Sequence, residues 1–493
     1  MQGNDTVSIG EQVVSSSLWM GSWRWSARLI GLVTTIILAR LLLPEDFGIV
    51  ATSGIIVAFF AMMIDLGTDS YLIRHQAPDR DDYDTGWTLR LIVMTVASAG
   101  VFLAAQPGAD FFNDQRLVDV LRLLAVVGWL AGFTNIGLTM YRRDLQFRKL
   151  AFIGITQRIT SSAVTIALAY WLRNYWSLVI GEIVFVLVGL VLSYTRHPYR
   201  PRFTLSRVHQ QWDFSKWIVV RNLGTVLRSQ GDGIIIAKFF GVEIMGLFSM
   251  AGRFSALPTM QLIEPVMAPV FSGLAKKQDD HDVFVYSVLK VSTAIAFLMF
   301  PAATLFVLLD EPLVKIVLGE RWNAVIPLIA PLTLTVMLSV LSNPVMTALT
   351  IEGRVKLLAG LNWFSAFFVI LALFLAAQWH DIDILVWARV VIAFFLLSIF
   401  YTYFKALLKV SLVSLFSAIY RPALSSIVMA LAIQALTTQL GNAWIEIVAG
   451  IILGGACYIL SAGLLWRLAG SPDSGESLVV RKLFKIVARI VKR

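Results

Sequence analysis

One cysteine, Cys457, stands in 493 residues, and a single thiol excludes an intrachain disulfide. Histidines are few, and the five present (His75, His197, His209, His281 and His380) fall in or near loops and share no metal-ligand spacing. No G-x-x-x-x-G-K-S/T run occurs, so the chain carries no P-loop nucleotide site of its own. No Ser-His-Asp pattern and no pair of carboxylates with room for a substrate stands out. Catalysis therefore has no visible seat, and the chain is expected to be a non-enzyme with neither cofactor nor metal. Long polar segments are missing too, since the longest, Thr195 to Ser215, is about twenty residues. That leaves no inserted soluble domain. A polytopic glycosyltransferase or polymerase, which needs a sizeable outer loop to work on lipid-linked sugars, is the least favoured class.

Charge is scarce as well, at 15% of residues against 58% hydrophobic. With a mean hydropathy of +0.76, the chain has far more apolar surface than a soluble core could hide. It reads as an all-α polytopic membrane protein. Fourteen apolar runs, each long enough to cross the roughly 30 Å hydrocarbon layer as a helix, centre near residues 28, 57, 96, 128, 162, 185, 228, 258, 297, 336, 367, 394, 430 and 455.

The chain is built twice. At a constant offset of 198 residues Trp19 meets Trp217, Arg40 meets Lys238, Glu45 meets Glu243, Gly48 meets Gly246 and Gly54 meets Gly252. The expected organisation is an N-terminal lobe of six helices (1–195), a basic linker (196–215) and a second lobe of six helices (216–405). Two further helices (406–467) and a basic amphipathic tail (468–493) complete it. Duplicated bundles suit transport, because similar halves can alternate around a site between them.

Counting Lys and Arg in alternate loops gives twenty-four against six, which places both termini in the cytoplasm. The start, Met1 to Ser17, lacks the basic opening of a signal peptide. In the tail, Arg481, Lys485, Arg489 and Lys492 share one helical face while Val480, Leu483, Phe484 and Val487 lie largely opposite. Such a helix lies on anionic phospholipid. That helix, Leu478 to Arg493, holds +6 of the formal +10 net charge, so the basic balance points to a membrane surface and not to nucleic acid.

Charges inside the spans are the candidates for function. Arg24 and Arg28 lie one turn apart in the first span, and if its helix starts near Ser15 they sit about 13 and 20 Å along it. An arginine so placed costs about 2.5–3.5 kcal/mol and normally faces a bundle interior or a wet cavity. A structural pairing with Asp65 or Asp69 is the plain alternative. The seventh span repeats this chemistry with Arg221, Arg228 and Asp232, and Gly231 and Gly233 beside them suggest a hinge. The eighth adds Arg253, followed by Pro258, Glu264, Pro265 and Pro269. Arg158 and Glu182 lie in the fifth and sixth spans, and spacing alone does not settle whether they face each other. Asp65, Glu182, Asp232 and Glu264 are candidates for proton or ion coupling, or for pairing. Arg90 reads as an interface anchor, Arg122 is open, and Arg389 is either an anchor or a pair partner.

Several stretches resemble a known family: Ile37 to Gly48, the basic turn Arg142 to Lys149 with Phe147, Gln230 to Gly241, and Leu318-Gly-Glu-Arg-Trp322. They look like the polysaccharide transporter family, the bacterial O-antigen and exopolysaccharide repeat-unit flippases of the multidrug, oligosaccharidyl-lipid and polysaccharide exporter superfamily. The resemblance covers nearly the whole chain, to about residue 465. It implies fourteen spans, two six-helix lobes around a V-shaped cavity, and transfer of undecaprenyl-diphosphate-linked oligosaccharides from the inner to the outer leaflet of the bacterial cytoplasmic membrane. The related lipid II flippases place arginines of the first and eighth helices in that cavity, where Arg24, Arg28 and Arg253 occupy similar places here. Arg24, Arg28, Arg221, Arg228 and Arg253 are thus the expected diphosphate ligands, with polysaccharide polymerase machinery a further expected partner. A cation-coupled multidrug antiporter of the same superfamily is the alternative, weakened because such a lumen should favour carboxylates.

Overall fold

The computed structural model describes residues 9–61, 67–75, 77–408, 412–437 and 442–476, and among them there is no strand. The first nine helices are α1 (Ile9–Leu41), α2 (Pro44–Ala61), α3 (Thr68–Arg74), α4 (Arg80–Leu103), α5 (Ala105–Phe112), α6 (Arg116–Gly132), α7 (Gly137–Arg143), α8 (Phe147–Leu172) and α9 (Trp176–Thr195). There follow α10 (Val208–Leu262), α11 (Glu264–Ala275), α12 (His281–Leu308), α13 (Asp310–Val317) and a 3-10 turn, Glu320–Val325. The last six are α14 (Ile326–Leu341), α15 (Asn343–Ile351), α16 (Val355–Ala377), α17 (Ile382–Leu408), α18 (Leu412–Thr437) and α19 (Ala443–Leu468). All fourteen expected centres fall within helices. Among the described residues ten helices are long and apolar enough to span a membrane, and eleven if α6 and α7, bent by 62°, form one span. The chain is an all-α polytopic membrane protein. Its contacts divide it into two units, Met1–Gly246 and Leu247–Arg493.

In the first unit α8 packs along α1 and α9, and α4 along α6. Small residues set these approaches, as the Trp23 indole lies over Gly154 and the Arg158 guanidinium over Gly31. The 198-residue repeat is visible in the backbone. Between α1 and α2 the chain turns at Leu42 and Leu43; in α10 it breaks at Gly241, whose φ of 83° and ψ of 176° belong to glycine. The helix runs unbroken through Gly231 and Gly233, contrary to the expected hinge there. Gly233 is small for another reason: a Cβ on it would meet Ile55 Cδ1 at 2.9 Å. Beyond the two breaks the helices cross reciprocally. A Cβ on Gly48 would lie 1.7 Å from the Val242 carbonyl oxygen, and one on Gly246 would lie 1.9 Å from that of Pro44. Residues 242 and 246 are 44 and 48 plus the offset, so the contact is its own repeat.

The linker docks closely on α4. That helix opens with a capping box, Asp79 accepting from the Asp82 N–H and Asp82 from the Asp79 N–H. One turn on, buried Asp84 accepts from the Tyr199 hydroxyl at 2.7 Å and the Arg202 N–H at 3.0 Å. Gln211 donates to the Asp82 carbonyl at 2.8 Å, and the Trp87 and Phe203 rings meet at 5.0 Å. His197 packs against Tyr141 and accepts the Tyr199 N–H on Nδ1 at 3.1 Å. Burial, with Lys149 and Arg200 nearby, pushes its pKa below the ordinary value.

In the second unit α12 packs along α18, α18 along α19, and α14 along α17. Prolines punctuate these helices as expected, with Pro344 opening α15 after the break at Ser342 and Pro269 inside α11. After α19 the chain folds back onto the bundle. Trp466 donates to the Pro472 carbonyl at 2.9 Å, and Arg421 Nη1 of α18 lies 2.8 Å from Glu476 Oε2, both side chains being buried.

Candidate functional site

Four of the span charges of the first unit, Arg24, Arg28, Arg158 and Glu182, lie on α1, α8 and α9. Trp19 marks the level at which α8 begins, because the Arg148 guanidinium at the start of α8 sits 5.6 Å over its ring. From Trp19, Arg24 and Arg28 lie about 7 and 13 Å up the helix at about 1.5 Å per residue. The helix itself starts at Ile9, so its first turns precede the apolar stretch. Arg24 is exposed and Arg28 half-buried. Arg158 of α8 joins them through Gly31, one turn beyond Arg28 on α1, where an added Cβ would lie 2.6 Å from Arg158 Nη2. Glu182 on α9 feels the Arg158 charge. Arg28, Arg158 and Glu182 thus lie on helices packed in series, α1 on α8 and α8 on α9, with Arg24 exposed one turn before Arg28. Arginine suits such a place, holding its charge in any environment and offering a planar fork to phosphate or carboxylate oxygens.

Other expected residues go elsewhere. Asp69 accepts from the Thr139 hydroxyl and the Arg142 guanidinium, so the basic turn supplies its partners. Arg90 donates to the Thr134 carbonyl at the bend between α6 and α7. Arg122 sits 5.6 Å over the Phe102 ring. Asp232 is buried on α10. In the second unit Arg253 is exposed, and Arg389 sits 5.8 Å over the Phe248 ring. Asp65 and the tail from residue 477 lie outside the described residues, as do the side chains of Arg221, Arg228 and Glu264. Arg158 is the residue sequence reasoning undervalued. Its signal was present in Gly31, one turn beyond Arg28, a small residue that admits a large side chain from a neighbouring helix.

The basic turn completes the surroundings. Lys149 lies 4.6 Å over the Tyr141 ring, Arg196 lies 4.5 Å over Phe152 and Arg200 lies 5.7 Å over Tyr194. Each of these cations keeps its charge while its ring partner offers a favourable face.

Comparison with known proteins agrees with this architecture. The model of a family described as "Polysaccharide biosynthesis protein" matches residues 37–327. The succinoglycan biosynthesis transport protein ExoT of Rhizobium meliloti (strain 1021) is 24% identical over 436 residues, 86% of this chain and 87% of that protein. The lipopolysaccharide biosynthesis protein WzxC of Escherichia coli (strain K12) is 23% identical over 376 residues, 76% of each chain. Among solved structures, the lipid II flippase MurJ in an inward closed conformation superposes with a TM-score of 0.72 at 12% identity, covering 91% of this chain and 99% of that one. The fold is therefore of that kind.

Proposed function

The chain belongs to the polysaccharide biosynthesis protein family, and from that membership we propose that it is a flippase moving undecaprenyl-diphosphate-linked oligosaccharide repeat units from the inner to the outer leaflet of the bacterial cytoplasmic membrane, for exopolysaccharide or O-antigen synthesis. The observation that carries this reading is the excess of guanidinium over carboxylate along α1, α8 and α9, helices packed in series. A diphosphate and its glycan cannot cross hydrocarbon unaided. Arg24 and Arg28 receive the diphosphate near the headgroup layer through charge-assisted hydrogen bonds, and Arg158, packed over Gly31 of the same helix, supports them. Arg221, Arg228 and Arg253 supply the same chemistry from the seventh and eighth spans, at positions that do not coincide with Arg24 and Arg28 at the offset of 198. The lobes 1–195 and 216–405 alternate the exposure of this cationic path between leaflets, with both termini in the cytoplasm. A cation-exporting antiporter is disfavoured by the same excess of positive charge.

The test is polymer export in a strain lacking its own repeat-unit flippase, with inserted protein quantified in parallel. Arg24→Ala/Arg28→Ala should abolish export at normal protein level, and Arg24→Lys should keep part of it, since lysine retains charge but loses the bidentate fork. Normal export from the double alanine variant sinks the proposal.

A further inference from the structure

In the second unit, between α11 and α12, lies a groove of about 480 Å³ that the proposed transport path does not use. The size is within the roughly 300–1,000 Å³ range of ligand pockets. Its walls are apolar, formed by Met267 and Val270 on one side and Val291, Ile295 and Leu298 on the other. Its charged lining residues, Lys277 and Lys290, lie together at one end with Tyr286 and Ser287. From Ser287 to Leu298 the helix rises about 16 Å at about 1.5 Å per residue. That is the depth of one leaflet of a roughly 30 Å hydrocarbon layer.

The two lysines are not equivalent. Lys290 Nζ lies 2.8 Å from the Asp473 carboxylate of the segment that follows α19, and the Tyr286 hydroxyl donates to the same carboxylate at 2.9 Å. Among the described residues the Lys277 ammonium bonds instead to a neutral group, the Ser287 hydroxyl, at 2.9 Å. The lining thus presents one net positive charge at the mouth of a one-leaflet apolar channel. A phosphodiester headgroup carries one negative charge; a prenyl diphosphate carries about two. We propose that this groove binds one acyl chain of an anionic glycerophospholipid, from the leaflet facing the Lys276–Asp280 turn, with its phosphate held by Lys277. Bound there, the lipid fastens α11 to α12 by filling the space between them.

The experiment follows thermal unfolding of the full-length protein in neutral detergent while phosphatidylglycerol, phosphatidylcholine, undecaprenyl phosphate or inorganic phosphate is titrated in. Phosphatidylglycerol should raise the unfolding midpoint at lower concentration than phosphatidylcholine, and inorganic phosphate should leave it unchanged. Lys277→Gln should weaken the phosphatidylglycerol effect about tenfold, the scale of one hydrogen bond to a charged group. A second variant blocks the channel itself. Gly273 lines the groove with nothing within 4 Å of an added Cβ, so Gly273→Leu can fill it without displacing a neighbour and should abolish the response to both lipids. Equal responses to the two phospholipids, or a Lys277→Gln response like that of the unaltered protein, would overturn the assignment. So would a stronger response to undecaprenyl phosphate than to phosphatidylglycerol, which would make the occupant the carrier lipid. None of these readouts depends on transport.

Discussion

The turn from α1 into α2 uses Leu42 and Leu43 and starts the next helix with Pro44, and the Asp46 carboxylate accepts the Leu43 N–H at 2.9 Å. Its counterpart 198 residues on is Gly241 alone, with φ at 83°. One copy holds the turn with a proline at the first helical position and a carboxylate reaching back to the N-cap, the other by backbone freedom. Downstream of each turn the two copies converge again, for Gly48 and Gly246 each meet the carbonyl of the other copy's fourth residue upstream. What duplication has kept is the close crossing. The chemistry that aims the chain at it has drifted.

The largest effect should come from filling that crossing. Gly48→Ala and Gly246→Ala each put a methyl into a backbone carbonyl, which cannot rotate away as a side chain can. Overpacking of this kind costs about 3 kcal/mol, more than the roughly 1 kcal/mol that alanine returns as helix propensity. Because the contact is reciprocal, the two losses should be similar when unfolding of the purified variants is measured. A large loss at one glycine with none at the other would break the symmetry claimed for the pair.

Changing the turns should cost less, and unequally. Gly241→Ala asks a residue with a Cβ to hold a conformation reserved for glycine, at about 2 kcal/mol. Asp46→Ala removes one side-chain hydrogen bond to a backbone N–H, at about 1 kcal/mol. If Gly241→Ala proves the milder change in the same unfolding assay, the second turn relies on something other than backbone freedom.

Much of this was legible in sequence because it is periodic or repeated: the helix centres, the 198-residue offset, and the arginines one turn apart in the first span. Side chains that act across helices were harder to place. Nothing local says that Asp84, apparently part of a charged loop, is the buried acceptor that docks Tyr199 and Arg202. The Asp79-x-x-Asp82 spacing did carry the start of α4, as a capping box. Arg421 looked like one more loop cation, yet it is buried against Glu476, a residue placed in the tail. The start of α1 at Ile9 was not legible because its first turns precede the apolar stretch, whereas Trp19, under the Arg148 guanidinium, ties the level of α1 to the start of α8. The hinge expected at Gly231 and Gly233 shows the limit of composition, since glycine serves equally for turning and for packing. Gly233 packs against Ile55, and the turn belongs to Gly241.

The smallest expected effect is the most diagnostic. Gly54 and Gly252 are also matched at the offset of 198, but neither has anything within 4 Å of an added Cβ, and both have helical backbone. Packing therefore gives no reason for glycine at either place. Alanine should be accommodated and should stabilise each helix by up to about 1 kcal/mol. In the unfolding assay Gly54→Ala and Gly252→Ala are thus expected to move the midpoint slightly upward, opposite in sign to Gly48→Ala and Gly246→Ala. Measuring polymer export alongside separates two explanations of why these glycines recur. Unchanged export would make them remnants of duplication with no present role. Lost export from a stabilised protein would mean that another conformation of the transport cycle brings a neighbour against the bare helix face, as Gly48 and Gly246 already meet theirs.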